Sequence, residues 1–276
     1  MLNIKVIHSA EKVSINPQDS GFSHGFALFE TLLVEGGQLF FWARHWERLF
    51  KSAQFLELDV FLIDQEALVL EAIIALNKTQ GAAPYALKLS LMPSLKGATL
   101  YIYTRGLEAE NLPIRLSLNT VHPINEKAPL AGLKTHNYME NIWLLKEARA
   151  QGFDDYLRID TQMRISETCI GNIFFVREGL IKTPSTASGV LPGVIRSIVL
   201  ESEIVEACEI VEEDLTTMSA AFMTNSLRHI SLVSEINTKK ATFNFENTPA
   251  NRRLIDQIES HLLVAQKSES IQLSVV

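Results

Sequence analysis

The chain has 276 residues, long for one compact core and enough for two domains. Its 47% hydrophobic and 21% charged residues are ordinary for a globular enzyme. A net charge of −7 argues against a nucleic-acid partner, so an anionic substrate must be met by local arginines and lysines. Cys169 and Cys208 form no CxxC pair and read as small buried apolar side chains. The histidines show no HExxH-like spacing, so no metal is expected. No apolar run reaches the ~18 residues of a membrane span, and Met1-Leu2-Asn3-Ile4-Lys5 is no signal peptide. The expectation is a cytoplasmic protein that does not engage a membrane.

In chain order, residues 4–8 read as an opening strand, and Pro17 to Gly21 as turn chemistry. Residues 22–29 lead into an extended run, Glu30 to Val34. Gly36-Gly37 marks a hairpin turn before Leu39-Phe40-Phe41. A helix is expected from about Ala43, with Trp46, Leu49, Phe50 and Ala53 on its apolar face. A second spans residues 64–77, with Leu68, Ala72 and Ala75 among its apolar positions. Strands follow at 85–91 and 99–103, joined by Pro93-Ser94-Leu95-Lys96-Gly97. Lys88, among Leu87, Leu89 and Leu91, reads either as the outward residue of an alternating strand or as an active-site cation.

Another strand starts at Ile114. Residues 122–129, with two prolines and no periodicity, read as a linker. The predicted domains are therefore 1–121 and 133–276, with 122–132 between them. A helix from Tyr138 to Ala150 has Met139, Ile142, Leu145 and Ala148 as its stripe. Short strands follow at 156–159, 163–165 and 172–176, with a turn at Arg177-Glu178-Gly179. Pro192 falls at a predicted first helical turn, and 251–263 is helical. The alternation gives a mixed α/β class.

Three stretches carry chemistry. Leu133-Lys134-Thr135-His136-Asn137 offers an amine, Arg164-Ile165-Ser166-Glu167 a carboxylate, and Leu191-Pro192-Gly193-Val194-Ile195-Arg196 a helix start able to meet an anion. Each alone is weak, since most lysines are surface solubilisers. In this order, with Phe41-x-x-x-His45-x-x-Arg48-Leu49 upstream and Thr224-Asn225-Ser226 downstream, they resemble the fold-type IV pyridoxal phosphate enzymes. The resemblance spans roughly residues 20–235. It implies a two-domain α+β fold with pyridoxal 5′-phosphate in the interdomain cleft. It further implies Lys134 as the covalent anchor and base, Glu167 as partner of the pyridine nitrogen, and Arg48, the Val194 and Ile195 amides and Ser226 as phosphate ligands. A guanidinium fork suits a phosphate, and His45 braces the helix. The resemblance also implies a homodimer.

Within that family, Ala131-Gly132-Leu133-Lys134, Lys88, Thr168-Cys169 and Thr224-Asn225-Ser226-Leu227 resemble the aminodeoxychorismate lyases. The implied substrate is a small anionic amine, 4-amino-4-deoxychorismate, with His24, Phe29 and Lys88 on the substrate side. Two segments depart from the lyase pattern. Residues 92–96 are short and lack a glycine- and arginine-rich loop, and His24-Gly25-Phe26 replaces an aromatic-Gly-Asp segment. The alternatives are a branched-chain or D-amino-acid aminotransferase and a carrier that binds the cofactor without turnover.

Overall fold

The computed structural model describes residues 1–8, 12–94, 97–107, 113–246 and 248–273. Leu95 and Lys96 of the short loop noted above lie outside the described residues. In chain order the elements are β1 (Leu2–Ile7), α1 (Ser20–Ser23), β2 (Leu28–Glu35), β3 (Gln38–Phe40), α2 (Trp42–Phe55), α3 (Glu66–Asn77), β4 (Tyr85–Ser94) and β5 (Gly97–Gly106). Then come β6 (Ile114–Ile124), α4 (Met139–Ala150), β7 (Asp155–Asp160), β8 (Ile165–Thr168), β9 (Asn172–Arg177), β10 (Leu180–Pro184) and α5 (Val194–Val199). The last are β11 (Val205–Cys208), β12 (Ala220–Asn225), β13 (His229–Asn237), β14 (Thr242–Asn244), α6 (Pro249–Ser268) and β15 (Ser270–Gln272).

The chain divides into two compact units, each built on its own sheet. The first holds Met1–Glu108, Leu133–Tyr138 and Gln266–Val276. Its sheet runs β1-β5-β4-β2-β3-β15, with only β1 and β5 parallel. The Gly36-Gly37 hairpin forms as expected. Both glycines have positive φ, +58° and +73°, which a two-residue turn between twisted strands requires. Phe41, with φ 56°, then swings the chain from β3 into α2. Trp46, Leu49 and Ala53 of α2 join Val69, Ile73 and Leu76 of α3 in the core with Leu28, Leu32 and Val34 of β2.

Two expectations change here. The buried stripe of α3 is Val69, Ile73 and Leu76, while Leu68 and Ala75 are exposed and Ala72 half-buried. That helix is apolar nearly all round, so sequence alone does not set its rotation. In β4 every residue from Tyr85 to Leu91 is buried except Lys88, which is half-buried. Both faces are covered, and Lys88 is not the outward residue of an alternating strand.

The second unit holds Ala109–Gly132 and Met139–Ala265. Its sheet runs β11-β10-β9-β12-β13-β6-β7-β8, with β14 on β13. The core joins Leu116, Leu157, Ile159, Ile173, Phe175 and Ala221. The expected boundary moves, because the segment read as a linker begins inside β6. Asn119 Oδ1 accepts from the backbone N–H of Val121 (3.0 Å) and His122 (2.9 Å). This folds a bulge into the strand, and pairing with β7 resumes at Ile124 beyond Pro123, which has no N–H to give. Residues 122–132 thus belong to the second unit, while Leu133–Tyr138 returns to the first.

Three smaller corrections follow. In α4 the buried residues are Leu144, Leu145 and Ala148, whereas Met139 and Ile142 are exposed. The apolar positions of α4 cover more than one face, and only the stripe packing on Tyr156 and Cys169 is buried. Met163 sits in a turn at φ 64°, and β8 starts at Ile165. Asp160 Oδ1 makes that turn by accepting from Gln162 N and Arg164 N, each at 2.9 Å. Pro192 precedes α5 and lies outside its first turn. A Gly193 N–H to Leu191 carbonyl bond of 2.8 Å closes a three-residue turn around it, and Gly193 caps the helix. Among the described residues no helix is long and apolar enough to cross a membrane.

Candidate cofactor site

The first unit gathers charge around one buried carboxylate. Glu30 lies on the face of β2 that carries Leu28, Leu32 and Val34, and is 1% exposed. A carboxylate there requires partners. Helix α2 supplies them one turn apart. Arg48 donates from Nε (2.8 Å) and Nη2 (2.7 Å) in a fork, and His45 donates from Nδ1 (2.7 Å). Burial pushes the Glu30 carboxyl up, but Arg48 and His45 outweigh it and hold it far below the usual carboxylate range. Burial also lowers His45, which serves as a neutral donor. Arg48 thus commits one edge of its guanidinium to Glu30.

The amines lie on an aromatic wall. The Lys134 segment is tied to the start of β2, with Phe29 N donating to Lys134 O (3.0 Å) and His136 N to Ala27 O (2.9 Å). Lys134 Nζ sits 4.3 Å from the Phe29 ring centroid and 5.2 Å from that of Tyr138. Lys88 Nζ sits 4.2 Å from the same Phe29 centroid and donates to Thr31 Oγ1 at 2.6 Å. Burial, with the Lys134 charge adding to it, lowers Lys88 to about 7. His136 bonds Ser90 Oγ at 3.1 Å, and burial and the Lys88 charge lower its pKa. His24 is exposed at the end of α1, its Nδ1 2.7 Å from Ser23 Oγ.

In the second unit backbone groups do most of the positioning. Glu167, near the end of β8, accepts at Oε2 from Leu191 N (3.0 Å) and Asn172 Nδ2 (3.1 Å). Val194 and Ile195 follow as the first residues of α5. The buried Arg196 guanidinium donates from Nη2 to Pro184 O at 2.9 Å. Burial lowers its pKa, and the Glu167 charge works against that. Thr224 pairs with Asn172 across β12 and β9, and its hydroxyl is buried with no hydrogen-bond partner. Half-buried Ser226 lies in the next turn, where Asn225 Oδ1 accepts from Leu227 N (3.0 Å) and Arg228 N (3.1 Å).

The structure therefore brings Lys134, Lys88, Phe29 and the Arg48–Glu30–His45 cluster together in one unit. In the other it groups Glu167 with the turn leading to Val194 and Ile195. Sequence reasoning overlooked Glu30 and Asn172. For Glu30 the signal was available, as a charge at the buried parity of an alternating strand. Each unit holds groups that suit part of an aldehyde-bearing pyridine phosphate: an amine on an apolar wall and a guanidinium in the first, and a tethered carboxylate, backbone amides and an unpartnered buried hydroxyl in the second.

A family model described as amino-transferase class IV matches residues 27–236. The chain belongs to that family. It is an enzyme of the pyridoxal phosphate class, with the fold-type IV architecture, and its cofactor is pyridoxal 5′-phosphate. An aminodeoxychorismate lyase from Bacillus subtilis is 28% identical over 81% of this chain and 83% of its own. A Methanocaldococcus jannaschii protein assigned as a branched-chain-amino-acid aminotransferase is also 28% identical, over 85% and 86%. A solved structure from Legionella pneumophila, assigned as a 4-amino-4-deoxychorismate lyase, superposes with a TM-score of 0.77 at 26% identity, covering 94% of this chain and 99% of that one.

Proposed function

We propose that the enzyme converts 4-amino-4-deoxychorismate to 4-aminobenzoate and pyruvate, a step of folate synthesis, as a cytoplasmic homodimer. The observation that carries this reading is Lys88, a second amine on the ring that carries Lys134. Its cation suits one of the substrate's two carboxylates. The likeness to the Bacillus subtilis lyase supports the reading, and the equal likeness to the Methanocaldococcus jannaschii protein keeps branched-chain transamination as the second one.

Bound pyridoxal phosphate supplies an electron sink and a carbonyl for the substrate amine. Lys134 would anchor it, and would have to be neutral to do so. Glu167 would hold the ring nitrogen's proton, while Arg48, the Val194 and Ile195 amides and Ser226 would take the phosphate. The Lys134 amine then removes the ring proton of the substrate. The C–O bond breaks, its electron pair leaves with enolpyruvate, the ring becomes aromatic, and the enol takes up a proton to become pyruvate. His24 and Phe29 flank the substrate side.

The test is stoichiometry. Purified enzyme given 4-amino-4-deoxychorismate and no keto acid should release 4-aminobenzoate and pyruvate in equal amounts. Release of keto acids from L-leucine, L-glutamate or D-alanine, without lyase turnover, would transfer the assignment to the aminotransferase.

A further inference from the structure

The amide of Asn172 sits where three segments of the second unit meet. Its Nδ2 donates to Glu167 Oε2 (3.1 Å) and to Leu191 O (3.0 Å), using both of its hydrogens, while Leu191 N donates to that same Glu167 oxygen (3.0 Å). Its Oδ1 lies 2.1 Å from where a Cβ on residue 193 would be, so Gly193 is there for room. Its φ of −64° is open to any residue. The backbone of Asn172 is in register with Thr224 of β12, two residues before Ser226. One buried side chain thus ties the Glu167 carboxylate to the turn that opens α5.

We propose that Asn172 is a positioning residue that holds Glu167 at a set distance from the phosphate-binding start of α5, so that ring nitrogen and phosphate of one cofactor are gripped together. The proposal rests on the assignment of Glu167 and of residues 194–195 to the cofactor, which cofactor uptake by the unmodified enzyme checks separately. It is independent of whether the reaction is elimination or transamination. Asn172 acts by fixing Glu167 Oε2. Removing its amide takes one donor from that oxygen and one from the Leu191 carbonyl, which keeps its bond from the Gly193 N–H. An aspartate in its place cannot donate when ionised and sets a second negative charge beside Glu167.

The test compares the unmodified enzyme with Asn172→Ala and Asn172→Asp, all stripped of cofactor. Binding of pyridoxal 5′-phosphate is followed by fluorescence quenching at pH 8.0 and pH 5.5, and inorganic phosphate is titrated alone. Asn172→Ala should weaken cofactor binding about tenfold or more, the scale of one hydrogen bond to a charged group. Its phosphate affinity should stay within about twofold, because the amides and Arg48 persist. Asn172→Asp should lose more at pH 8.0 and recover part of the loss at pH 5.5, where the new carboxyl can be protonated and donate. Cofactor affinity unchanged in both variants would overturn the proposal. Equal losses of cofactor and phosphate affinity with a lowered thermal midpoint would overturn it too, as the mark of a merely structural role. Asn172→Asp binding like the unmodified enzyme at both pH values would do the same.

Discussion

The two units hold their functional groups by different physics. In the first, side-chain charge does the work: Glu30 binds Arg48 and His45 inside the sheet–helix core, and two lysines share one aromatic ring. In the second, Glu167 on β8 accepts from a backbone amide and a neutral side chain, next to a turn where Gly193 leaves no room for a methyl group. A charge cluster is vulnerable to titration and to loss of a partner. A backbone-built site is vulnerable to shape. Neutralising Glu30 should therefore be felt through pH, and adding a methyl group at Gly193 through shape.

The largest effect is expected at Glu30. Glu30→Ala takes from the half-buried Arg48 the carboxylate that it grips in a fork, and from the buried His45 its acceptor, and should lower stability by about 3–5 kcal/mol in urea unfolding. Because the folded Glu30 carboxyl is held below its unfolded value, its contribution is present above the unfolded pKa of about 4.3 and is lost as pH falls toward the folded value. The unmodified protein should thus lose stability on acidification more steeply than Glu30→Gln. Gly193→Ala comes next. Its Cβ would meet Asn172 Oδ1 at 2.1 Å, so a cost of about 1–3 kcal/mol is expected in the same assay, little changed between pH 6 and pH 9. A cost that varied strongly over that range would blur the contrast between the units. A third effect concerns Lys88. Its pKa is lowered to about 7 in the fold, so the unfolded state binds more protons between about 7 and its ordinary value. Stability should rise with pH across that window, and Lys88→Met should flatten the rise.

Much of the charge cluster was legible because its spacing is local. His45 and Arg48 stand one helical turn apart in α2, and the glycine pair fixes the hairpin before it. Glu30 escaped notice because its partners lie 15 and 18 residues away, although its parity with Leu28 and Leu32 marked it as buried. Rotation was harder to read than existence. Helix α3 is apolar nearly all round, and α4 carries more apolar residues than its neighbours cover. The boundary was misplaced for a related reason. Pro123 breaks the pattern of β6 without ending the strand, because the Asn119 side chain closes the bulge before it. Asn172 was invisible in sequence, since its meaning comes from Leu191 and Gly193, about twenty residues on and brought back by the sheet.

The central claim is that Lys134, and not Lys88 on the same ring, carries the cofactor. Reduction of the cofactor-loaded enzyme with borohydride fixes pyridoxal phosphate to whichever amine holds it, and mass spectrometry of the digested protein locates it. One label per chain is expected, on the peptide containing Lys134, and no label in a Lys134→Ala variant. A label on Lys88 in the unmodified enzyme would contradict it.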